Sequence, residues 1–192
     1  MAFTFKHLNR RIRVLMTEEV QLDEERGELF SGKFTNEAGK AAFPGLLRSA
    51  ILTGDEVSLA QSLHSDFFLQ SYAKRKPQGG STYASVPRDA NQNLAEGEFN
   101  RFYIRAVCRL ALEMGCLDVE IYRARHAENP RPESQMRIGK LISAQSLLND
   151  LRNSQGVDTA LGCPTGPRSG LSVMLPAAFA ERSAGQQEPA LA

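Results

Sequence analysis

Three arginines recur at every fourth position of one segment, and this spacing is the clearest chemical signal in the sequence. Arg101, Arg105 and Arg109 lie in a run with the apolar periodicity of a helix. Residues four apart stay on one side of a helix, because each residue turns the chain by about 100°. A guanidinium group stays charged and binds phosphate or carboxylate through a planar pair of N–H donors. The row predicts a surface for anions or for an acidic partner.

Further arginines follow in the next two segments. Arg123 and Arg125 come at the end of a predicted strand, and Arg131 lies in the loop after it. If the strand returns beside the helix, these guanidinium groups join the helical row in one anion- or partner-binding patch. Such a patch suits a nucleic-acid backbone or an acidic protein.

Internal pairing is the alternative for the helical row. Glu98 precedes Arg101 by three residues and Glu113 follows Arg109 by four, which are spacings at which helical side chains meet. The core candidates on the other side of the same helix are Phe99, Tyr103, Val107, Leu110 and Met114. The arginines are therefore expected to lie away from the core, where they bind a partner or pair with local glutamates.

Acidic residues suggest a second chemistry. Asp118 and Glu120 alternate along a predicted strand, and Glu96 and Glu98 open the helix before it. Two carboxylates on one strand face are hard oxygen ligands suited to Mg²⁺, as in a nuclease. The same alternation is typical of the solvent face of any edge strand, and no lysine follows at the spacing of a restriction-type nuclease. Nuclease chemistry is therefore the least favoured alternative.

Other site types have little support in the sequence. Residues 27–33 match the start of a phosphate-binding loop, but the next residue is Phe34 instead of the Ser or Thr that holds magnesium. The histidines are scattered and form no metal-binding motif: His7, His64 and His126. We predict no catalytic residue, no metal site and no cofactor.

The composition is that of a globular chain with balanced charge. Hydrophobic residues make up 42% of the 192 residues, there is no Trp, and the net charge is +1. This balance excludes a uniformly basic binder, although local patches remain compatible with it. The three cysteines lie in no metal-binding spacing, and no leader or membrane-spanning run is evident. We predict a cytosolic protein, or a component of an assembly made in the cytosol, with no membrane partner.

The order of predicted elements indicates an α+β fold. A helical N-terminal part packs with a small, mostly antiparallel sheet and a central amphipathic helix. Residues 1–176 form a single domain with a helical part (1–76) and a mixed part (81–176), and 177–192 form a flexible tail. Helices are predicted over 5–26, 35–52, 56–76, 89–115 and 144–152, and the second of them is expected to break at Pro44 and Gly45. Strands are predicted over 28–34, 81–86, 117–122, 136–142 and 171–175.

Charges on the first predicted helix run against the helix dipole. Basic residues occupy its first half and acidic residues its second half, whereas the dipole favours the opposite order. One interpretation is that the basic end meets an acidic surface elsewhere, including a head-to-tail contact between copies. The alternative is that these charges are merely solvated.

Several local sequences resemble a family of uncharacterised proteins from tailed phages, prophages and bacterial mobile elements. They are LNRRIRVLM, LAEGEFNRFYIRAVCRLAL, EIYRAR, PRPES, LLNDLR and GPRSGLSVMLP. The resemblance covers roughly residues 5–176 and implies no known reaction or active site. It implies a protein encoded by a phage, prophage or mobile element and located in the host cytoplasm or in a virion. Our leading hypothesis is therefore a non-enzymatic structural or assembly protein that binds protein subunits and forms a homo-oligomer. The alternatives are a DNA- or RNA-binding protein that uses the arginine row, and a magnesium nuclease.

Overall fold

The computed structural model describes residues 2–77, 79–126, 128–154 and 170–184. About half of the chain is helical, and two small antiparallel sheets accompany the helices, which confirms the α+β class. In chain order the elements are α1 (Arg10–Glu25), α2 (Glu37–Thr53), α3 (Glu56–Ser62), β1 (Ser71–Arg75), β2 (Ser81–Ser85), α4 (Ala90–Glu113), β3 (Asp118–Arg123), α5 (Pro132–Gln135), β4 (Leu141–Ser143), α6 (Ala144–Asn153), β5 (Leu171–Met174) and α7 (Ala177–Ala184).

Helix α4 is the centre of the fold. It packs against α1, α3, α6, β3 and β5. Its predicted core residues Phe99, Tyr103 and Val107 are fully buried. Residues between them along the helix, including Phe102 and Ala106, are fully buried as well. A helix surrounded in this way has no broad solvent-exposed face. Its arginine side chains therefore lie mostly between α4 and the elements packed against it.

The two sheets are separate. The larger has the order β4–β3–β5 with both pairings antiparallel, so β3 is central and β4 is a three-residue edge strand. The smaller is the hairpin β1–β2, in which Ser71 lies opposite Ser85 and Arg75 opposite Ser81. The predicted strands at 81–86, 117–122 and 171–175 are confirmed to within one or two residues.

Side-chain caps fix the starts of several helices. Asn9, Asn36, Asp55 and Ser143 each accept a hydrogen bond from a backbone N–H in the first turn of the helix that follows. Such a cap typically stabilises a helix by about 1 kcal/mol. The cap at Asn9 explains why α1 starts at Arg10, later than the predicted residue 5.

The predicted break of the second helix is wrong. Helix α2 continues through Pro44 to Thr53. A proline removes one backbone donor from a helix. Here the neighbouring side chains of Phe43 and Leu47 are fully buried, so tertiary packing outweighs that loss.

The segment predicted as one helix over 56–76 is instead a short helix followed by a strand. Helix α3 ends at Ser62, a single 3-10 turn spans Ser65–Phe67, and β1 begins at Ser71. The predicted break at 77–80 is the hairpin turn, where Gly79 and Gly80 have positive φ and the Lys76 N–H donates to the Gly80 carbonyl. Residues 71–75, predicted as the last part of that helix, instead pair with β2.

Three smaller predictions also differ from the structure. The predicted strand at 28–34 lies outside any strand, and only Leu141–Ser143 of the predicted strand at 136–142 is extended. The predicted flexible tail begins instead with helix α7, and its part beyond residue 184 lies outside the described residues. Among the helices that are described, none is both long and apolar enough to cross a membrane.

Candidate functional site

Arg105 lies at the centre of a buried ion-pair cluster between α1 and α4. Its side chain is 0% exposed. Both terminal nitrogens bind the carboxylate of Asp23, at 2.7 and 2.8 Å, and Nε donates to Glu19 at 2.8 Å. The guanidinium carbon also lies 5.0 Å from the centre of the Phe102 ring. The two carboxylates raise the pKa of Arg105 even though burial by itself would lower it.

Two further arginines complete the cluster around Glu19. Arg152 of α6 binds its carboxylate through Nε and Nη2, at 3.0 and 2.5 Å. Arg109 reaches Glu19 at 3.3 Å and the more exposed Glu18 at 2.7 Å. Burial by itself would raise the pKa of Glu19, but Arg152 and Arg105 outweigh this effect and hold it below its ordinary value. The cluster joins α1, α4 and α6.

Arg101 lies one turn before Arg105 and points towards α6. Its Nη1 donates to the carbonyls of Leu151 and Ser154, at 3.2 and 3.1 Å. Its Nε lies 3.5 Å from Glu98, the helical neighbour that the sequence offered as an internal partner. Glu98 is almost fully buried, and burial raises its pKa from 4.5 to about 7 in spite of the nearby Arg101.

The predicted arginine row is therefore an internal feature. Arg101 and Arg105 are buried, and Arg109 is three-quarters buried and held by two carboxylates, so acids of this chain occupy their anion-binding groups. The expectation that they lie away from the core is wrong, because α1 and α6 cover that side of α4. The alternative of pairing within the molecule therefore fits this row of arginines. The predicted pair of Arg109 with Glu113 does not form, because Glu113 pairs with Arg11.

The other three predicted arginines lie apart from this cluster. Arg123 donates to the side-chain oxygen of Gln135 at 3.1 Å. Arg125 pairs with Glu96 and lies 5.5 Å from the centre of the Phe3 ring. Arg131 is exposed immediately before α5. The six arginines do not form one patch, and a binding role for Arg123, Arg125 or Arg131 stays a prediction.

Charges of the first helix are also used inside the molecule. Arg13 donates to the carbonyls of Ile51 and Gly54, at 2.5 and 2.9 Å, and so caps the C-terminal end of α2. Glu24 at the other end of α1 pairs with Arg48 of α2. A basic residue is favourable at a helix C-terminus. The reversed charge order of α1 thus matches the neighbours it packs against, and a head-to-tail contact between copies stays a prediction.

The carboxylates proposed for magnesium are separated in the structure. Asp118 and Glu120 are half-buried on β3, opposite Ser143 and Leu141 of β4. Glu96 is occupied by Arg125. In the described part of the chain, no group of three or more potential metal ligands comes together.

A cavity of 520 Å³ lies between α3 and the start of α4, with two buried glutamates in its wall. Glu56 is 2% exposed and accepts a hydrogen bond from the Phe3 N–H at 2.6 Å. Glu96 accepts one from Gln92 at 2.8 Å as well as pairing with Arg125. Burial raises the pKa of Glu56, and the nearby charges of Asp55 and Glu96 add to the effect. Protein groups hold both carboxylates, so the cavity shows no assembled reaction centre.

The hairpin β1–β2 is exposed over most of its length and carries basic residues without acidic ones. Residues 67–88 contain Lys74, Arg75, Lys76 and Arg88 but no Asp or Glu. Within the described ranges, none of these four cations lies in a salt bridge, and all are exposed. We call residues 71–85 the basic hairpin. It was missed from the sequence, because Lys74, Arg75 and Lys76 were placed at the end of a predicted helix.

A second surface feature is an apolar rim around the edge strand β4. It consists of Leu117, Met136, Ile138 and Leu141, whose exposed fractions are 74, 64, 36 and 59%. The β4 rim lies where β3 begins, in the loop before β4, and on β4 itself. Scattered apolar residues are ordinary on a surface, but a group along one edge strand is typical of a binding surface.

We compared the chain with family models, with curated proteins and with solved structures. No family model, no curated protein and no solved structure matches it. The proposals that follow therefore rest on the residues and geometry described above.

Proposed function

We propose that this protein is a structural or assembly component, of the kind that tailed phages and prophages encode, and that it works by protein–protein contact. The observation that carries the proposal is the β4 rim, four large apolar side chains beside an edge strand. Burying apolar surface contributes about 25 cal/mol per Å² and drives most protein association.

A second copy of this chain is the partner that the rim fits best. Both charge signs lie next to the apolar residues: Lys140 is exposed beside Leu141, and Asp118 and Glu120 lie half-buried on the adjacent strand. A two-fold contact brings the same surface of two copies together, so each copy offers a cation to the acids of the other. Charge self-complementarity thus favours a homodimer over an unrelated partner.

The edge strand β4 also fits a dimer of two copies better than a sheet that continues from copy to copy. Strand β4 has only three residues, and Lys140 precedes it directly. Short edge strands and lysine at the edge both discourage open-ended strand addition. Side chains of the rim would therefore make the contact, with no continuous sheet running between copies.

Light scattering after size exclusion, over a dilution series, tests this proposal. Wild type is expected at twice the 21.1 kDa chain mass at high concentration. The variant Leu141→Lys/Met136→Lys is expected at the mass of one chain, because two charges then lie in the apolar contact. The matched control Leu52→Lys/Val14→Lys replaces exposed apolar residues of α2 and α1, outside the rim, and should stay dimeric.

Two results would overturn the homodimer. One is a wild-type protein that stays monomeric at the highest concentration reached. The other is a rim variant with the same mass as wild type, or a control variant that dissociates to the same extent.

A further inference from the structure

We infer that the basic hairpin is a second binding surface, independent of the β4 rim, and that it binds the phosphate backbone and bases of a nucleic acid. The starting observation is its charge. Four cations and no carboxylate occur between residues 67 and 88, in a chain whose net charge is only +1. Elsewhere the arginines of α4 and α6 are neutralised by acids of the chain, whereas these cations have no acid within salt-bridge distance in the described residues.

One face of the hairpin is entirely exposed. The strand register places Ala73 opposite Tyr83 and Arg75 opposite Ser81, so these four side chains share a face. Tyr83 is 80% exposed, although a tyrosine ring normally finds a neighbour to pack against. The other residues of this face, Ser71 and Ser85, are small. Small side chains around one cation and one aromatic ring allow close approach to a flat or grooved ligand.

The opposite face anchors the hairpin to the body. Tyr72 is half-buried, and its ring lies 4.8 Å from that of Phe34. The backbone adds two hydrogen bonds at the base, from Leu69 N to the Phe34 carbonyl at 2.8 Å and from Val86 N to the Gln70 carbonyl at 3.2 Å. The hairpin is thus attached at its base, while its cationic end extends beyond the packed helices.

The dimensions of this element fit a nucleic-acid groove. Two five-residue strands form a ribbon about 17 Å long. The major groove of a DNA duplex is about 12 Å wide and admits a two-stranded β-ribbon. At the end of the ribbon, Arg75 lies on the face of Tyr83, Lys74 lies on the opposite face, and Lys76 directly follows the strand. All three cations would neutralise phosphates, and the Tyr83 ring offers a surface on which an unpaired base can stack.

An acidic protein segment is the competing ligand for such a surface. It would use the same cations but would gain little from a solvent-facing tyrosine. An exposed cation, Arg75, and an exposed aromatic ring, Tyr83, on the same face of the hairpin therefore favour a nucleic acid, and the test separates the two ligands through Tyr83.

Fluorescence anisotropy with a labelled DNA duplex, a labelled single-stranded oligonucleotide and labelled polyglutamate tests the inference. With three phosphates neutralised, duplex affinity should fall about 40-fold between about 50 and about 200 mM salt. Replacing the three cations together (Lys74→Gln/Arg75→Gln/Lys76→Gln) should remove most of the binding and of this salt dependence. Tyr83→Ala should weaken single-strand binding about tenfold, through lost stacking, and leave polyglutamate binding unchanged.

A matched control removes the same charge elsewhere. The variant Lys6→Gln/Arg10→Gln/Arg26→Gln replaces three exposed cations outside the hairpin and should bind as wild type does. The inference is overturned if neither nucleic acid binds at low salt, if the control loses as much affinity as the hairpin variant, or if Tyr83→Ala leaves single-strand binding unchanged. The dimer mass of the β4 rim variant is measured separately, so either proposal can fail without the other.

Discussion

The cations of α4 and those of the basic hairpin carry the same charge in opposite surroundings. Arg105 is sealed between two helices and bound to two carboxylates, whereas Arg75 is exposed on a ribbon without an acidic neighbour. The buried group holds helices together, and the exposed one is available to a ligand. Residue type therefore indicates where binding chemistry is possible, and the number of elements packed around a residue decides whether the ligand is internal or external.

The largest effect is expected when the central buried cation, Arg105, is replaced. Arg105→Gln leaves Glu19 and Asp23 buried without their main counter-charge, so the free energy of unfolding should fall by about 3–5 kcal/mol. Urea denaturation followed by circular dichroism measures the change. Arg105→Lys, which keeps the charge but loses the planar fork, should lie between wild type and Arg105→Gln. A loss below about 1 kcal/mol for Arg105→Gln would contradict a structural role.

The pH dependence of stability at Glu98 tests the same comparison on a buried acid. Its folded-state pKa of about 7 lies above the ordinary 4.5, so folding takes up a proton between these values. The carboxyl group therefore contributes its full stability below pH 4.5, and this contribution is lost as the pH rises through 7. Glu98→Gln keeps a neutral side chain and should gain stability relative to wild type, by up to roughly 3 kcal/mol, between about pH 5 and about pH 8.

Denaturation of both proteins across this range measures the effect. The lowered pKa of Glu19 acts in the opposite direction, but its contribution is lost only as the pH falls below the ordinary 4.5, outside the measured range. A stability difference between Glu98→Gln and wild type that does not change with pH would show that Glu98 does not titrate between these values.

The smallest effect is expected at the hairpin. Removing its three cations with Lys74→Gln/Arg75→Gln/Lys76→Gln should change the free energy of unfolding by less than about 0.5 kcal/mol, because exposed side chains without partners contribute little. The same urea titration measures it. A loss as large as that of Arg105→Gln would mean that the hairpin cations support the fold, and the contrast between the two regions would disappear.

The sequence was a good guide to the elements that carry their own local signals. Alternation predicted the strands near Thr82 and Val119, and Ser143 predicted the start of the helix after it. It was a poor guide to segments decided by distant contacts. Residues 71–76 were predicted to continue the helix that begins at residue 56, yet 71–75 form a strand that pairs with β2.

The position of the arginines was mispredicted for a similar reason. Apolar periodicity identifies the core side of a helix that is covered on one side, but α4 is covered on nearly all sides. One signal for the true arrangement was present. Glu19 and Asp23 lie four residues apart on α1, and the arginines of α4 also recur every four residues, so the two spacings match. The charges of α1 also run against the helix dipole. Without knowing that α1 packs on α4, that match could not be assigned.

The span of the ion-pair cluster along the chain has a consequence for synthesis. Glu19 meets Arg105 across 86 residues and Arg152 across 133. Domains generally fold as units while the chain emerges from the ribosome, N-terminal part first. A nascent chain that has emerged only as far as α3 holds Glu19 and Asp23 with neither α4 nor α6 to neutralise them. The full set of contacts of Glu19 therefore forms only after α6 has emerged from the ribosome.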